Sequence, residues 1–302
     1  MTEFLQQVII GLRIGSVYAL IALGYTMVYG IIKLINFAHG EFIMVGGYTL
    51  FFTIPVLINW GLPAWVSVFA AIVVCAAVGI LAELLAYRPV RKKGNRMTAL
   101  ITAIGMSLLL QNLAQAIPAM GPNPRVITQD IFPSGIDASI NLFGVSTNQT
   151  AIFTIIIAAC VMVGLQLFIH KTKLGRAMRA VSENKAASTL VGINVNKTIV
   201  ITFAIGAGLA AVGALMYCAQ YRSVMTTMGS MLGLKAFVAA VLGGIGLIPG
   251  AMLGGILIGL IEALVTAYIS SSLANSLVFL VLIIVLLVKP AGIMGKNVGE
   301  KV

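Results

Sequence analysis

Ionisable side chains are scarce in this sequence, and a few polar residues stand where the chain around them is apolar. Asn36, His39 and Glu41 open a long greasy stretch in "INFAHGEFIMVGGY". Lys235 opens a short glycine-rich segment, and Glu262 lies well inside the segment that follows. An ionisable group in an apolar span is costly, so each is a candidate for charge pairing, proton handling or contact with a polar solute. His39 and Glu41 are the only catalytic-looking neighbours, but no nucleophile stands beside them. They lie near the end of a span, where water or free backbone groups can also satisfy them. Lys235 and Glu262 are displaced toward the same side of their segments, which permits an ion pair, and a buried charge needs such a partner. That pair would be structural or would line a polar path. Glu83, one turn from a basic run, has Arg88 or a neighbour within reach.

Other constellations are missing. There is no G-x-x-x-x-G-K-[ST] loop to cradle phosphates. "GSMLGLKA" (229–236) has Gly and Lys at the wrong spacing, so the chain itself is not expected to bind ATP. No H-E-x-x-H, no G-x-S-x-G elbow and no dispersed Ser/His/Asp set is recognisable. We therefore expect no catalytic residues, no metal ligands and no cofactor.

The elements that position these residues follow from composition. The 302 residues are 60% hydrophobic and only 9% charged, with mean hydropathy +1.07. A soluble domain cannot hide that much apolar surface, so this is an integral membrane protein. Its net charge of +11 is concentrated in two inter-span loops and the C-terminal end. That is the positive-inside bias of membrane proteins and not a nucleic-acid footprint. Apolar runs at 8–29, 38–58, 64–87, 98–120, 151–169, 198–219, 233–247, 251–268 and 273–288 predict an all-α polytopic fold. The count is about 8–9 transmembrane helices, depending on whether the glycine-rich stretch 233–247 spans or re-enters. Cys75, Cys160 and Cys218 fall inside spans and are expected as buried thiols. The first thirty residues lack a basic leader and a cleavage site, so they are expected to stay as a span.

Two loops fix the orientation. Residues 88–96 carry Arg88, Arg91, Lys92, Lys93 and Arg96, and residues 170–197 are similarly basic, so both are expected to be cytoplasmic. Residues 121–150, with Pro122, Pro124, Pro133, Arg125, Asp130 and Asp137, are nearly neutral and are expected to be external. Counting crossings puts the N-terminus outside and the C-terminus, with Lys296 and Lys301, in the cytoplasm. The whole chain, 1–302, reads as one transmembrane domain. Each half has a long span, a polar turn and a segment with paired glycines, Gly46–Gly47 and Gly243–Gly244, which suggests an inverted repeat. Gly243, Gly250, Gly254 and Gly255 recur at near-helical spacing, suited to close helix approach or to unwound cavity walls.

The basic island 170–197 has internal order. Lys171, Lys173, Arg176, Arg179, Lys185 and Lys197 face a single acid, Glu183. Leu174, Ala177, Met178 and Val181 form one apolar stripe, while Ala186, Ala187, Leu190 and Val191 form a second on another face. The spacing predicts two short helices broken at 182–184, with Ser or Asn capping the second and Gly192 stopping it. Such helices dock on a partner or lie on anionic lipid headgroups.

"GRAMRAVSENKAASTLVGIN" resembles the cytoplasmic coupling loop of ABC importer permeases, in the form found in branched-chain amino-acid permeases. "YALIALGYTMVYGIIKLINFAHGEFIMVGGY" (18–48) and "KAFVAAVLGGIGLIPGAMLGGILIGLIEAL" (235–264) resemble that family's N- and C-terminal signatures. The similarity covers nearly the whole chain, in order, and is to the shorter of the two permease partners. It implies a subunit of an ATP-driven importer for leucine, isoleucine and valine in the bacterial inner membrane. It also implies a second homologous permease, two cytoplasmic ABC ATPases and an external or periplasmic substrate-binding protein, with lipid around the spans. By the same resemblance Gly175, Arg176, Arg179, Ala180, Glu183, Asn184, Ala187 and Gly192 would meet the ATPase. Asn36, His39, Glu41, Lys235 and Glu262 are the candidates for the translocation path. Competing readings are a permease for urea or small amides, an ion-coupled carrier using Glu41, Glu262 and Lys235, and an intramembrane enzyme built on His39 and Glu41.

Overall fold

The computed structural model describes residues 2–93, 96–132, 139–142 and 145–295. Residues 94–95 of the first basic loop, 133–138 and 143–144 of the loop expected outside (with Pro133 and Asp137), and Lys296 and Lys301 lie outside the described residues.

Eight described helices are long and apolar enough to cross a bilayer, and the chain is a polytopic helical bundle. The long helices are α1 (Thr2–Ile32), α2 (His39–Asn59), α3 (Ser67–Ala82, which continues with its flanking turns as one 28-residue rod over Ala64–Arg91), α5 (Arg96–Ala116), α6 (Gln149–Lys171), α9 (Val195–Tyr221), α11 (Ile248–Tyr268) and α12 (Ser271–Val288). The short ones are α4 (Arg88–Lys93), α7 (Lys173–Glu183), α8 (Lys185–Leu190) and α10 (Met228–Gly243). With 16 residues, α10 is about 24 Å long at about 1.5 Å per residue, short of the roughly 30 Å hydrocarbon layer. The glycine-rich segment is thus one short helix added to eight longer ones.

The helices α1 and α9 are the most enclosed, while α5, α6 and α12 turn most of their surface outward. Glycine sets the central crossing. A Cβ on Gly15 would lie 2.7 Å from the Ile256 Cα, and one on Gly255 would lie 2.5 Å from the Ala19 Cα. Gly11 and Gly259 are equally tight, so α1 and α11 touch backbone to backbone along two turns. In a lipid-like solvent such contact is what holds helices together, because apolar burial alone does not distinguish protein from lipid. The close-packing reading of Gly254 and Gly255 therefore holds. Gly244 (φ 108°) and Gly246 (φ 97°) instead form the turn that folds α11 back on α10.

Several expectations are corrected. The basic run after α3 is largely helix: a π-turn at Glu83–Tyr87 leads into α4 without a break. The helix α5 ends at Ala116, short of the expected 120, because Pro118 disfavours helical geometry at the residue before it. The long polar loop carries strands that an all-α pattern does not anticipate. The strand β1 (Arg125–Val126) pairs antiparallel with β4 (Ser223–Val224), and β2 (Ser139–Leu142) pairs with β3 (Val145–Asn148). An Arg222–Asp130 ion pair at 2.7 Å reinforces the first pairing. Gly46–Gly47 lies mid-helix in α2 whereas Gly243 ends α10, so these glycine pairs do not occupy equivalent places. Cys75 and Cys218 are buried, but Cys160 is exposed on the outer face of α6.

Candidate functional site

The polar residues singled out in the sequence fall into three places. The first is a charge cluster between α1, α10 and α11. Lys235 Nζ lies 2.7 Å from Glu262 Oε1, which realises the expected pair. Tyr18, which pattern reading missed, donates its hydroxyl to the other carboxylate oxygen at 2.8 Å. The ammonium also stands 5.6 Å from the centroid of the Tyr18 ring, within cation–π range. Lys235 is buried, so the pair is anchored from three helices.

The second place is the start of α2. Asn36, His39 and Glu41 are all buried, which removes the reading of solvated interfacial groups. Asn36 Oδ1 accepts from the Ala38 amide at 3.1 Å and from the Tyr87 hydroxyl. Glu41 Oε1 accepts from Ser107 of α5 and Ser230 of α10, each at 3.0 Å. Its Oε2 has no partner among the described residues. The helices α2 and α10 come this close because Gly40, Gly229 and Gly233 leave no side chain between them. His39 fills a pocket opened by glycines: a Cβ on Gly24 would lie 2.5 Å from its Nε2. Its ring packs 4.5 Å from that of Tyr25. Neither ring nitrogen has a hydrogen-bond partner, and no bond joins His39 to Glu41 among the described residues. An acid–base dyad is therefore not assembled here. Glu83, near the end of the α3 rod, pairs with Arg91 at 2.5 Å and Arg88 at 3.7 Å, so the nearer partner is the one a full two turns on.

The third place is the polar connector. Thr172 caps α7, accepting from the Gly175 amide at 3.0 Å and donating to the Phe168 carbonyl at 2.7 Å. A side chain on Gly175 would strike the Phe168 and Ile169 carbonyls, so that glycine is required for the sharp α6–α7 turn. Asn184 ends α7 and caps α8, accepting from the Ala187 amide at 3.0 Å. Gly192, at φ 84°, closes α8. These stop and start positions agree with the sequence reading. The two apolar stripes differ in fate. Met178 and Val181 of α7 are 1% exposed and pack on the bundle itself. The α8 stripe faces outward: Leu190 is 89% and Val191 75% exposed, with Ala186 and Ala187 exposed beside them. Arg176, Arg179 and Glu183 are exposed along α7, and Ala180 is half-buried. Lys185 reaches back 3.5 Å to the Ile32 carbonyl. Partial desolvation, then the nearby Arg91 guanidinium, hold its ammonium below the ordinary lysine pKa.

These features define a helical membrane protein with a capped two-helix connector rooted in the bundle and an apolar face left outside it. The family described as "Branched-chain amino acid transport system / permease component" matches residues 7–288, and the chain belongs to that family. It is 46% identical to the high-affinity branched-chain amino acid transport system permease protein BraD of Pseudomonas aeruginosa, over 99% of this chain and 98% of that protein. It is 44% identical to the corresponding permease protein LivH of Escherichia coli K12, with 99% and 98% covered. A more distant relative, the ribose import permease protein RbsC of Escherichia coli K12, is 28% identical over 78% of this chain and 68% of its own length.

Proposed function

We propose that this chain is one of two permease subunits forming the translocation path of an ATP-driven importer in the bacterial cytoplasmic membrane, carrying leucine, isoleucine and valine. Its partners are a second, related permease, two cytoplasmic ATPases and an external binding protein that delivers the amino acid. The observation that carries this reading is the α7–α8 connector. One helix is locked to the bundle by Met178 and Val181, and the next leaves the apolar side chains of Leu190 and Val191 exposed. An ion-coupled carrier has no use for such a lever. Near-half identity over the full length to permeases named for branched-chain amino acids supports the substrate class.

In this reading ATP-driven closure of the ATPases pushes α8. The Asn184 hinge and the rigid α6–α7 turn pass the motion to the membrane helices. This chain hydrolyses nothing. Arg176 orients the contact, and Ala180 and Ala187 allow close approach. Glu41, bridging α2, α5 and α10, is the path candidate with an unsatisfied oxygen; Asn36 and His39 support it. The Lys235–Glu262 pair braces α10 against α11. The test is uptake of labelled leucine against labelled urea by the complete complex in proteoliposomes, with and without ATP. Leucine uptake that requires ATP and binding protein is expected. Urea uptake without leucine uptake would reassign the substrate, and uptake independent of ATP would sink the importer reading.

A further inference from the structure

A half-open cavity of about 320 Å³ lies behind the connector, bordered by the ends of α1 and α6, the inner side of α7 and the α10–α11 turn. That volume is at the small end of ligand pockets, suited to a small metabolite. Its walls include Met27, Ile31, Ile169, Met178 and Ile248, a set of aliphatic and thioether side chains. Its rim carries two opposite charges one helical turn apart on α7, Arg179 and Glu183. Both are exposed to water, and neither has an ion-pair partner among the described residues. The Arg179 guanidinium makes only 3.5 Å contacts to the ring and carbonyl of His170. The Glu183 carboxylate has no side-chain partner among the described residues. Thr26 also belongs to the wall, and its hydroxyl is buried with no hydrogen-bond partner among the described residues.

An unpaired cation, an unpaired anion, an orphan hydroxyl and an aliphatic wall together describe one ligand chemistry. A fatty acid or a lipid phosphate would satisfy Arg179 but set its negative charge against Glu183. A simple amine would leave Arg179 unmet. A zwitterion with a short branched aliphatic side chain satisfies all of them. We propose that this cavity binds a free aliphatic amino acid from the connector side and so acts as a product-sensing site. A ligand there bridges α1, α6 and α7, and holds the connector against the bundle. The connector then transmits less motion, and import slows as product accumulates. This rests on the transport reading for the identity of the regulated process, although the binding chemistry is read from the cavity itself.

The probe is photo-leucine, a diazirine analogue of leucine, applied to the purified permease–ATPase complex without the binding protein, followed by peptide mapping. Labelling is expected on the segments bearing Met27, Ile169 or Met178. Leucine should compete, while isovalerate and isobutylamine, each lacking one charge, should compete at least tenfold less well. Gly30→Leu projects a side chain into the cavity from a position with ordinary room around it, the nearest atom to a new Cβ being 3.6 Å away. It should abolish labelling, and Thr26→Val should weaken it several-fold. In proteoliposomes, millimolar leucine on the connector side should slow ATP-driven uptake several-fold in the native complex and not in Gly30→Leu, whose uptake without internal leucine stays within about twofold. No labelling in this cavity, or equal labelling in native and Gly30→Leu complexes, overturns the site. Uptake indifferent to internal leucine overturns its regulatory role. Labelling as expected in a complex that imports no leucine would refute the transport reading and leave the binding site standing.

Discussion

At the scale of single residues, the Lys235–Glu262–Tyr18 cluster sets a largely buried charge pair inside the bundle, with side chains 8% and 17% exposed. Removing one member of a buried pair leaves the other uncompensated, at a cost of about 3–5 kcal/mol, whereas replacing both with apolar groups is often tolerated. Glu262→Gln alone and Lys235→Met alone are expected to cut the yield of folded, detergent-monodisperse protein. The double variant Lys235→Met with Glu262→Leu should recover most of it. Fluorescence-detected size exclusion across the four proteins reads the coupling directly. If the double variant is as poor as the worse single one, the two charges do not stabilise each other. The pair was legible in the sequence because two ionisable groups in neighbouring apolar segments must find something. Tyr18 was not, because an aromatic residue in an apolar run gives no sign of where its hydroxyl points. The His39 pocket was equally hidden. It depends on Gly24 of the preceding helix α1, and a glycine by itself does not announce which neighbour needs the room.

At the scale of elements, the connector shows what periodicity can and cannot tell. The spacing of apolar residues located α7, the break and α8, and the capping residues followed from the need to satisfy free amides at a helix start. Periodicity identifies a face but not what covers it. Of the stripe with the better helical pattern, on α7, Met178 and Val181 are taken up by the chain's own bundle while Leu174 stays exposed, and the irregular stripe on α8 is left free. The consequence is testable with two substitutions that act differently. Asn184→Ala removes the α8 cap, worth about 1 kcal/mol, and should loosen the hinge. ATP hydrolysis would continue with less transport per ATP. Leu190→Asp puts a charge on the contact itself. At about 2 kcal/mol or more for a central contact residue, it should weaken ATPase association about 30-fold. Pull-down of the ATPase and the ratio of uptake to hydrolysis separate the two effects. Native ATPase retention in Leu190→Asp would mean that α8 lies on lipid and is no lever.

At the scale of the whole molecule, coupling to ATP depends on which side of the membrane each loop occupies. Helix spacing and length were readable almost everywhere, since lipid demands long apolar runs with every backbone group bonded internally. The short strands were not, because two-residue pairings such as Arg125–Val126 with Ser223–Val224 depend on contacts across about a hundred residues and leave no local pattern. From the positive-inside bias we propose that the basic connector and the basic end of the α3 rod lie together in the cytoplasm, which would put the β1–β4 clasp on the opposite, external side. Thr128 and Thr189 are exposed and lie on the two faces so defined. In a background with Cys75, Cys160 and Cys218 replaced by alanine, Thr128→Cys should react with a membrane-impermeant maleimide in intact cells. Thr189→Cys should react only after the membrane is opened. A lever that answers to ATP must sit where ATP is. Labelling of the Thr189→Cys protein from outside would therefore reverse the orientation and remove α8 from the reach of any cytoplasmic ATPase, however well its exposed leucine and valine suit a docking groove.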